Sequence, residues 1–309
     1  MSLPGKILYH TWHRPYGAIK GVIDAGGPWE KHRTERGRRE MECAAYGLSL
    51  QQSLTGTPLE LHLLTGRRFW YQTVFCLWSF GCHSGRKLAP IIYDDGTLSP
   101  EHREPFLRLW PDTRFVSQSD TICRLDAILP EARYPVLRER WRNYPNIRKL
   151  IDPHLGSRGW KLVLDSDLLF FRKPGFLLNW LNAPDRALHA VDCETSYGYS
   201  RDLLNRLAGR TLDDLVNVGL TGLESGAIDW DQLENWTRFL HEKEGTSYYL
   251  EQALIAMSVA GQNCAVAPAA DYVTLPVPPE AIMCQAVMHH YVANSKRWYF
   301  QTSWKTALG

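Results

Sequence analysis

Two carboxylates stand two residues apart at the end of an apolar segment, just past the middle of the chain. Asp165 and Asp167 follow the hydrophobic run at residues 160–164, and a second hydrophobic run, residues 168–171, comes directly after them. Two like charges in apolar surroundings are costly unless a cation or strong hydrogen-bond donors compensate them. A hard divalent ion with oxygen ligands does this, and it also bridges to a phosphorylated substrate. The pair therefore predicts a metal site for phosphate chemistry.

The same acidic pattern has two other interpretations. A turn at a strand end, with both carboxylates solvated or capping, is common, and it is the apolar strand before the pair that favours a metal site. Phosphatases of the haloacid dehalogenase type also place D-x-D after a strand, usually near the start of the domain, and need a later Lys and a further acidic pair. Here the later doublet, Asp213 and Asp214, lies in a segment with a helical pattern, so this interpretation is weaker.

A second polar cluster begins at His289 and His290, which end a predicted strand, and continues to Lys296 in a polar loop. A His at a strand end can supply a ring nitrogen as a third metal ligand beside two carboxylates. A Lys six residues later can contact a diphosphate as a point charge. Taken alone, the segment is better explained by a buried His and a surface Lys, so its meaning depends on the acidic pair.

Four short motifs follow one another along the chain: Leu164-Asp165-Ser166-Asp167, Asn217-Val218-Gly219-Leu220, Glu251-Gln252, and His290-Tyr291 through Lys296-Arg297-Trp298. Their types and order resemble those of the retaining GT-A glycosyltransferases, in particular glycosyltransferase family 8. That family carries L-D-x-D, then N-x-G, then an acidic residue followed by Gln, then H-[FY]-x-G-x-x-K-P-W. The motifs cover residues 160–298, and the strand pattern extends the resemblance back to about residue 58.

The resemblance implies a metal-dependent transferase with Mn²⁺ (or Mg²⁺) as its cofactor. Asp165, Asp167 and His290 would hold the ion against the diphosphate of a nucleotide-sugar donor, and Lys296 would contact the same diphosphate. The resemblance also favours a UDP-sugar. The acceptor stays open among glycans, lipid-linked saccharides, proteins and small molecules.

Three further residues would line the donor sugar by the same resemblance. Asn217, Glu251 and Gln252 are the catalytic candidates, and Gln252 corresponds to the residue near the reacting carbon. The chain departs from the family pattern where Glu251 replaces the more usual Asp, which bears on the choice of sugar. Ala293 and Arg297 replace a Gly and a Pro, which bears on the backbone of the last loop.

The expected reaction is transfer of the sugar to an acceptor hydroxyl with retention of configuration. No carboxylate is obviously placed as a covalent nucleophile, so the resemblance favours a front-face transfer in which the leaving phosphate helps to activate the acceptor. Two alternatives stay open. One is a nucleotidyltransferase, an enzyme class with a glycine-rich loop that residues 65–68 resemble only weakly. The other is a nucleotide-sugar-binding module without turnover, which Glu251 and the altered loop at Lys296 allow.

The elements that must position these residues alternate from residue 58 onward, which predicts a single α/β, GT-A-like nucleotide-binding domain over residues 58–309 with a mainly parallel mixed sheet flanked by helices. Residues 1–57 are an N-terminal extension of unassigned role. Ligands of such sheets gather at the carboxyl ends of the strands. The predicted strands are residues 59–65, 89–93, 113–117, 160–164 and 188–192, with 265–274 and 287–292 closing the sheet. The predicted helices are residues 70–82, a helix starting at Ser99 and Pro100, residues 119–156, 201–207 and 229–260.

Composition narrows the class of protein further. The chain has 309 residues and a formal net charge of +2, which argues against a nucleic-acid partner. Seven cysteines without a C-x-x-C pair argue against a disulfide framework or a zinc knuckle. With no signal-like or membrane-spanning run, a cytoplasmic protein is expected. Locally basic residues 31–39 and 133–149 leave a peripheral membrane contact open.

Aromatic residues are unusually frequent, with 12 Trp, 14 Tyr and 10 Phe. Because aromatic rings both fill cores and stack on sugars and bases, their positions decide what the excess means. Those in helical patterns are expected in the core: Phe69, Trp70, Phe75 and Trp78. Those near the motifs are expected to stack on sugar or base: Tyr248, Tyr249, Tyr291, Trp298 and Tyr299.

Overall fold

Two β-sheets organise the protein, and a computed structural model describes residues 26–50 and 55–309. The strands are Thr55–Thr65 (β1), Arg86–Asp94 (β2), Arg114–Val116 (β3), Trp160–Leu164 (β4), Leu168–Phe170 (β5), Leu188–Val191 (β6), Val216–Glu224 (β7), Ala265–Val266 (β8), Tyr272–Thr274 (β9) and Met288–His290 (β10). The α-helices are Pro28–Ala45 (α1), Trp70–Ser84 (α2), Pro100–Leu109 (α3), Gln118–Ile128 (α4), Pro135–Asn143 (α5), Ile147–His154 (α6), Gly175–Asn182 (α7), Arg201–Ala208 (α8), Trp230–Glu244 (α9), Leu250–Val259 (α10), Pro278–Met283 (α11), Lys296–Trp298 (α12) and Trp304–Leu308 (α13).

The larger sheet has the strand order β3-β2-β1-β4-β7-β6-β8. All neighbouring strands in it are parallel except β7, which runs antiparallel to both β4 and β6. Helices cover both faces, so central strands read as continuous apolar runs, and all of β7 except its last residue is buried. The predicted α/β class with a mainly parallel mixed sheet is confirmed.

The smaller sheet has the order β5-β10-β9, with β5 antiparallel and β9 parallel to β10. This corrects the prediction that residues 265–274 and 287–292 close the main sheet. Only Ala265–Val266 joins the main sheet, beside β6, whereas β9 and β10 pair with β5. The reason is that the chain leaves the main sheet at the acidic turn and forms β5, a strand that was not predicted and that supplies a new edge for pairing.

Helix α2 is almost entirely buried. Trp70 and Phe75 are fully buried in it, and the helix ends where Gly85 takes a left-handed conformation. The predicted helix of residues 70–82 is confirmed and extends to Ser84, and the predicted core role of Trp70, Phe75 and Trp78 is confirmed. For Phe69 the core prediction is wrong, because this residue precedes the helix and its side chain is exposed. No helix in the described residues is long and apolar enough to cross a membrane.

The arginine-rich region of residues 119–156 forms the three helices α4, α5 and α6. Its side chains pair mostly with acids of the protein itself: Arg133 with Asp231, Arg138 with Asp126, Arg142 with Glu131 and Arg148 with Asp152. A basic sequence therefore gives a locally neutral surface.

Helix α1 packs against the C-terminal turns. The position where a Cβ of Gly37 would lie is 2.0 Å from the carbonyl oxygen of Phe300, so only glycine permits this approach. Gln301 donates to Glu30, and Lys305 pairs with Glu40 at 2.6 Å. The described part of residues 1–57 thus contacts the domain directly, and the predicted boundary at residue 58 stays a prediction.

Candidate metal and donor site

The acidic turn joins the two sheets. The backbone N–H of Asp165 donates to the carbonyl of Gly219 in β7 at 2.8 Å, and the carbonyl of Asp167 accepts from Tyr291 N–H at 3.0 Å. Between them, the Ser166 hydroxyl accepts from Thr73 of α2 at 2.9 Å. Both carboxylates are thus fixed by backbone and side-chain bonds at the carboxyl end of β4.

Asp165, Asp167 and His290 converge as the sequence predicts. One ligand atom from each lies within 4.8 Å of the others. The His290 Nε2 is 3.5 Å from an Asp165 oxygen and 3.4 Å from an Asp167 oxygen. Two carboxylates and one imidazole are a donor set that suits a divalent ion such as Mn²⁺ or Mg²⁺.

The hydrogen bonds around the cluster fit a metal ion. The Nδ1 of His290 lies 3.2 Å from the Asn217 side-chain oxygen, an acceptor that fixes a proton on Nδ1, so that Nε2 is the ring nitrogen that would exchange its proton for a cation. Two buried atoms of the cluster, His290 Nε2 and Asp167 Oδ1, lie 3.4 Å apart and form no hydrogen bond of good geometry in the described residues. Buried polar atoms are seldom left unpaired, so these two are the atoms a cation would use.

Glycine is required where β7 passes the imidazole. A Cβ on Gly219 would lie 2.2 Å from the His290 ring, and the backbone N–H of Gly219 donates to the Asn217 side chain at 2.9 Å. The N-x-G motif of the sequence therefore has a steric meaning. Asn217 orients the imidazole, and Gly219 makes room for it.

The carboxylates have two lysine partners. Lys296 pairs with Asp167 at 2.8 Å, and its contact with a diphosphate stays a prediction. Lys149 in α6 pairs with Asp165 at 2.7 Å and with Glu251 at 3.2 Å, and sequence reasoning missed it. Its only signal was the basic stretch of residues 133–149, which had been interpreted as a surface. The sequence does not show which side of α6 faces the sheet, and this is what places Lys149 at the site.

Charges in the cluster shift one another's pKa values. Burial opposes the charge of Asp167, but Lys296 and His290 outweigh it and hold the pKa of that carboxyl well below its usual range. Burial likewise opposes the charge of His290, yet the two carboxylates raise its pKa to about 9. The raised pKa of His290 reports a negative potential at Nε2, which equally attracts a metal cation.

Glu251 and Gln252 begin α10 at the wall of the cleft. Burial raises the pKa of Glu251 to about 7, against the opposing charge of Lys149. The Gln252 amide nitrogen donates to Asp192 at 2.8 Å and to the Val216 carbonyl at 2.9 Å. Both of its N–H groups are used, so its carbonyl oxygen is the polar atom that remains. Asp192, which sequence reasoning placed only at a strand end, holds Gln252 in place.

A cleft of about 320 Å³ lies beside the cluster. Its walls include the three catalytic candidates, Asn217, Glu251 and Gln252, together with Asp165 and His290. Tyr248 and Tyr249 also line it, and Tyr248 is 72% exposed. The two tyrosines are therefore placed where ring stacking on a ligand is possible.

The other predicted stacking residues lie elsewhere. Tyr291 and Tyr299 are fully buried and pack on each other with ring centres 4.9 Å apart, so the prediction that they stack on a ligand is wrong. The reason is strand alternation: since His290 faces the site, its neighbour Tyr291 faces the core. Trp298 packs against that core under the Arg297 guanidinium and is not among the described residues that line the cleft.

The loop after β10 has the backbone conformation expected from the glycosyltransferase motif that it resembles, although Ala293 replaces the Gly of that motif. Ala293 has φ of +46°, in the left-handed region that favours the glycine it replaces. The loop therefore returns Lys296 to Asp167 at the cost of local strain.

Comparison with known proteins shows the fold. No protein-family model and no curated protein matches the sequence. Among solved structures, mouse xyloside xylosyltransferase 1 is similar, with a TM-score of 0.52 and 12% identity over 77% of this chain and 99% of that one. Galactosyltransferase LgtC, in complex with donor and acceptor sugar analogs, has a TM-score of 0.49 and 13% identity over 79% of this chain and 84% of that one. The chain therefore has the GT-A glycosyltransferase fold that its four motifs predicted.

Proposed function

We propose that the protein is a metal-dependent glycosyltransferase that moves a sugar from a nucleotide-sugar donor, with uridine as the favoured base, to an acceptor hydroxyl with retention of configuration. One observation carries the proposal. Asp165, Asp167 and His290 converge directly beside a polar cleft, and their Asp167 Oδ1 and His290 Nε2 atoms are buried without a hydrogen bond in the described residues. On a GT-A fold this arrangement supports a donor diphosphate next to its sugar.

The first task of such a site is to bind the diphosphate. A divalent ion held by Asp165, Asp167 and His290 would neutralise diphosphate charge and so improve the leaving group. Lys296 and Lys149 flank the carboxylates on opposite partners and add fixed positive charge. Their ammonium groups need only small movements to contact phosphate oxygens, because both already lie at the cluster.

The second task is to stabilise positive charge that develops on the sugar. The Gln252 carbonyl oxygen is free and is held rigidly by Asp192 and Val216, so it can face an oxocarbenium-like centre without reorganisation. Glu251 is tied to Lys149 at 3.2 Å rather than standing free as a nucleophile. This supports a front-face transfer in which the leaving phosphate accepts the proton of the acceptor hydroxyl.

Calorimetric titration of UDP with and without Mn²⁺ tests the donor site. We expect binding that depends on the metal and disappears in Asp167→Ala. The Gly175→Ala variant is a matched control, because no atom lies within 4 Å of a Cβ at that position. UDP binding that ignores both the metal and Asp167→Ala would remove the basis of the proposal.

Turnover separates the proposal from its alternatives. Slow hydrolysis of one sugar from a panel of UDP-sugars supports a transferase, whereas tight binding without hydrolysis or transfer indicates a binding module. Formation of a UDP-sugar from UTP and a sugar phosphate would indicate a nucleotidyltransferase instead. Proton NMR of the first product anomer then tests retention, which an inverted linkage would exclude.

The place of action forms part of the same proposal. All seven cysteines are free thiols, which supports the predicted cytoplasmic location. The ion pairs of residues 133–149 weaken the case for a peripheral membrane contact through that stretch. Fractionation of the native protein checks both points.

A further inference from the structure

A second polar cavity of about 470 Å³ lies on the larger sheet, away from the donor cleft. It is lined by residues of β1, β2, β3 and β4 and by the ends of neighbouring helices, including Pro153 of α6. Lys161, on its wall, precedes Asp165 by four residues along β4, which is roughly 13 Å of extended chain. The cavity therefore lies along the sheet beside β1 to β4, and its Lys161 end is the part farthest from the acidic turn.

Positive charge dominates the lining of this cavity. Arg114, Arg124 and Lys161 face it, and Glu60 is the one carboxylate among the described lining residues. Glu60 pairs with Arg114 at 2.6 Å, whereas neither Arg124 nor Lys161 forms an ion pair within the described residues. Three cations against one carboxylate leave the lining with a formal charge of +2.

Two buried side chains in contact with each other form the floor of the cavity. His62 and Tyr93 line it, are each 3% exposed, and meet through His62 Nδ1 and the Tyr93 hydroxyl at 3.1 Å. When Tyr93 donates this bond, Nε2 of the neutral imidazole carries a proton and becomes a donor. Burial and the charges of Lys161 and Arg114 hold the pKa of His62 well below its usual range, so the imidazole is neutral at pH 7.

Arg124 and Lys161 are partly buried and form no ion pair in the described residues, so their positive charges are only partly compensated. Burial lowers the pKa of Lys161, and the charges of Arg114 and Arg124 lower it further, although Glu60 and Glu224 oppose them. An anion in the cavity would relieve this repulsion. A phosphate monoester carries about −1.5 to −2 at pH 7 and has several acceptor oxygens, which matches both the net charge and the donors of the lining.

We propose that this cavity is a binding site for a phosphate monoester, held by Lys161 and Arg124 over the His62–Tyr93 floor. The site is independent of the donor cleft and of the proposed transfer reaction. Helix α6 connects the two places, since it carries Lys149 at the donor site and Pro153 at the cavity.

Calorimetric titration of inorganic phosphate into the full chain tests the site, in metal-free buffer at constant ionic strength. We expect saturable one-to-one binding with a Kd on the order of 1 mM. Lys161→Ala and Arg124→Gln should each raise the Kd about tenfold, because each removes a charge-assisted hydrogen bond. Lys87→Ala, which removes an exposed cation of β2 outside the cavity, should leave the Kd unchanged.

The Lys296→Ala variant distinguishes the two phosphate sites. Phosphate binding that survives Lys296→Ala and is weakened by Lys161→Ala supports the cavity site. Phosphate binding that is lost in Lys296→Ala but kept in Lys161→Ala and Arg124→Gln belongs to the donor cleft and overturns the proposal. The proposal is also overturned if binding shows no saturation at phosphate concentrations up to ten times the expected Kd. Equal melting temperatures of the variants and the unchanged protein in chloride buffer show that the variants are folded. If Lys161→Ala does not fold, the Kd of Arg124→Gln tests the site by itself.

Discussion

Asp152 and Asp167 are both acids inside the protein, but they use their oxygens differently. Asp152 in α6 accepts from Trp141 Nε1 at 2.7 Å with one oxygen and from Arg148 Nε at 2.9 Å with the other. Asp167 pairs with Lys296 through one oxygen, and its other oxygen lies 3.4 Å from His290 Nε2 but forms no hydrogen bond in the described residues. A structural acid is fully satisfied by its own chain, whereas the acid of the candidate site keeps one acceptor for a ligand.

This difference between Asp152 and Asp167 predicts that one residue matters more for stability and the other more for ligand binding. Removing a fully paired buried acid leaves its partners uncompensated. Removing Asp167 relieves its repulsion of Asp165, and its cationic partners keep other contacts, because Lys296 is partly exposed and His290 still faces Asp165. Variants of the two residues should therefore have opposite profiles.

Asp152→Ala should cause the largest loss of stability. It leaves the buried Arg148 guanidinium and the Trp141 N–H without their partner, so we expect the free energy of unfolding to fall by about 3–5 kcal/mol. Urea unfolding measures this change. A melting curve equal to that of the unchanged protein would show that solvent replaces the carboxylate.

Asp167→Ala should have the reverse profile. We expect metal-dependent UDP affinity to fall at least about 100-fold, because a metal ligand is lost, while the free energy of unfolding changes little. Calorimetry and urea unfolding of the same preparation provide the two readouts. A loss of stability as large as that of Asp152→Ala would contradict the proposed division between the two acids.

Gly219→Ala should weaken the metal site without removing any ligand. The added methyl would displace the His290 ring, which lies 2.2 Å from the Cβ position, and we expect metal affinity to fall about tenfold or more. Gly175→Ala is the control, since that position has open space. Equal Mn²⁺ affinities of the two variants would exclude a steric role for Gly219.

Lys149→Met should lower turnover more than donor affinity. It removes the charge shared by Asp165 and Glu251 but keeps the length and packing of the side chain. We expect kcat to fall about tenfold, with partial recovery in Lys149→Arg, as measured by donor hydrolysis. If KM alone changes, Lys149 acts in ground-state binding rather than at the reacting centre.

His154→Gln should have the smallest effect, on the pH dependence of stability. Burial lowers the pKa of His154 to about 3, and Ser225 bonds to its ring at 2.9 Å. The unfolded chain, with a His pKa near 6.5, then binds more protons below neutral pH, so stability falls as the pH falls. Between pH 7 and pH 6 the His154 share is about 0.7 kcal/mol, and the variant should lack this share in pH-dependent unfolding.

Local sequence predicted the parts of the site that depend on strand ends. The range of β4 is as predicted, and the acids after it meet His290 because apolar runs with polar ends fix both position and direction. Lys149 and Asp192 could not be predicted as neighbours of Glu251 and Gln252, because those contacts depend on how α6 and β6 pack. The antiparallel β7 was also missed, since its two glycines weaken the strand pattern.

The acidic turn also has a mechanical meaning. Asp165 follows the central strand β4 of the larger sheet, whereas Asp167 precedes β5 and His290 ends β10 in the smaller sheet. A cation bound by all three would therefore link the two sheets. Amide protons of β5 and β10 would then exchange more slowly in the loaded protein. Metal binding would therefore reduce local opening of the smaller sheet, independently of any chemistry in the cleft.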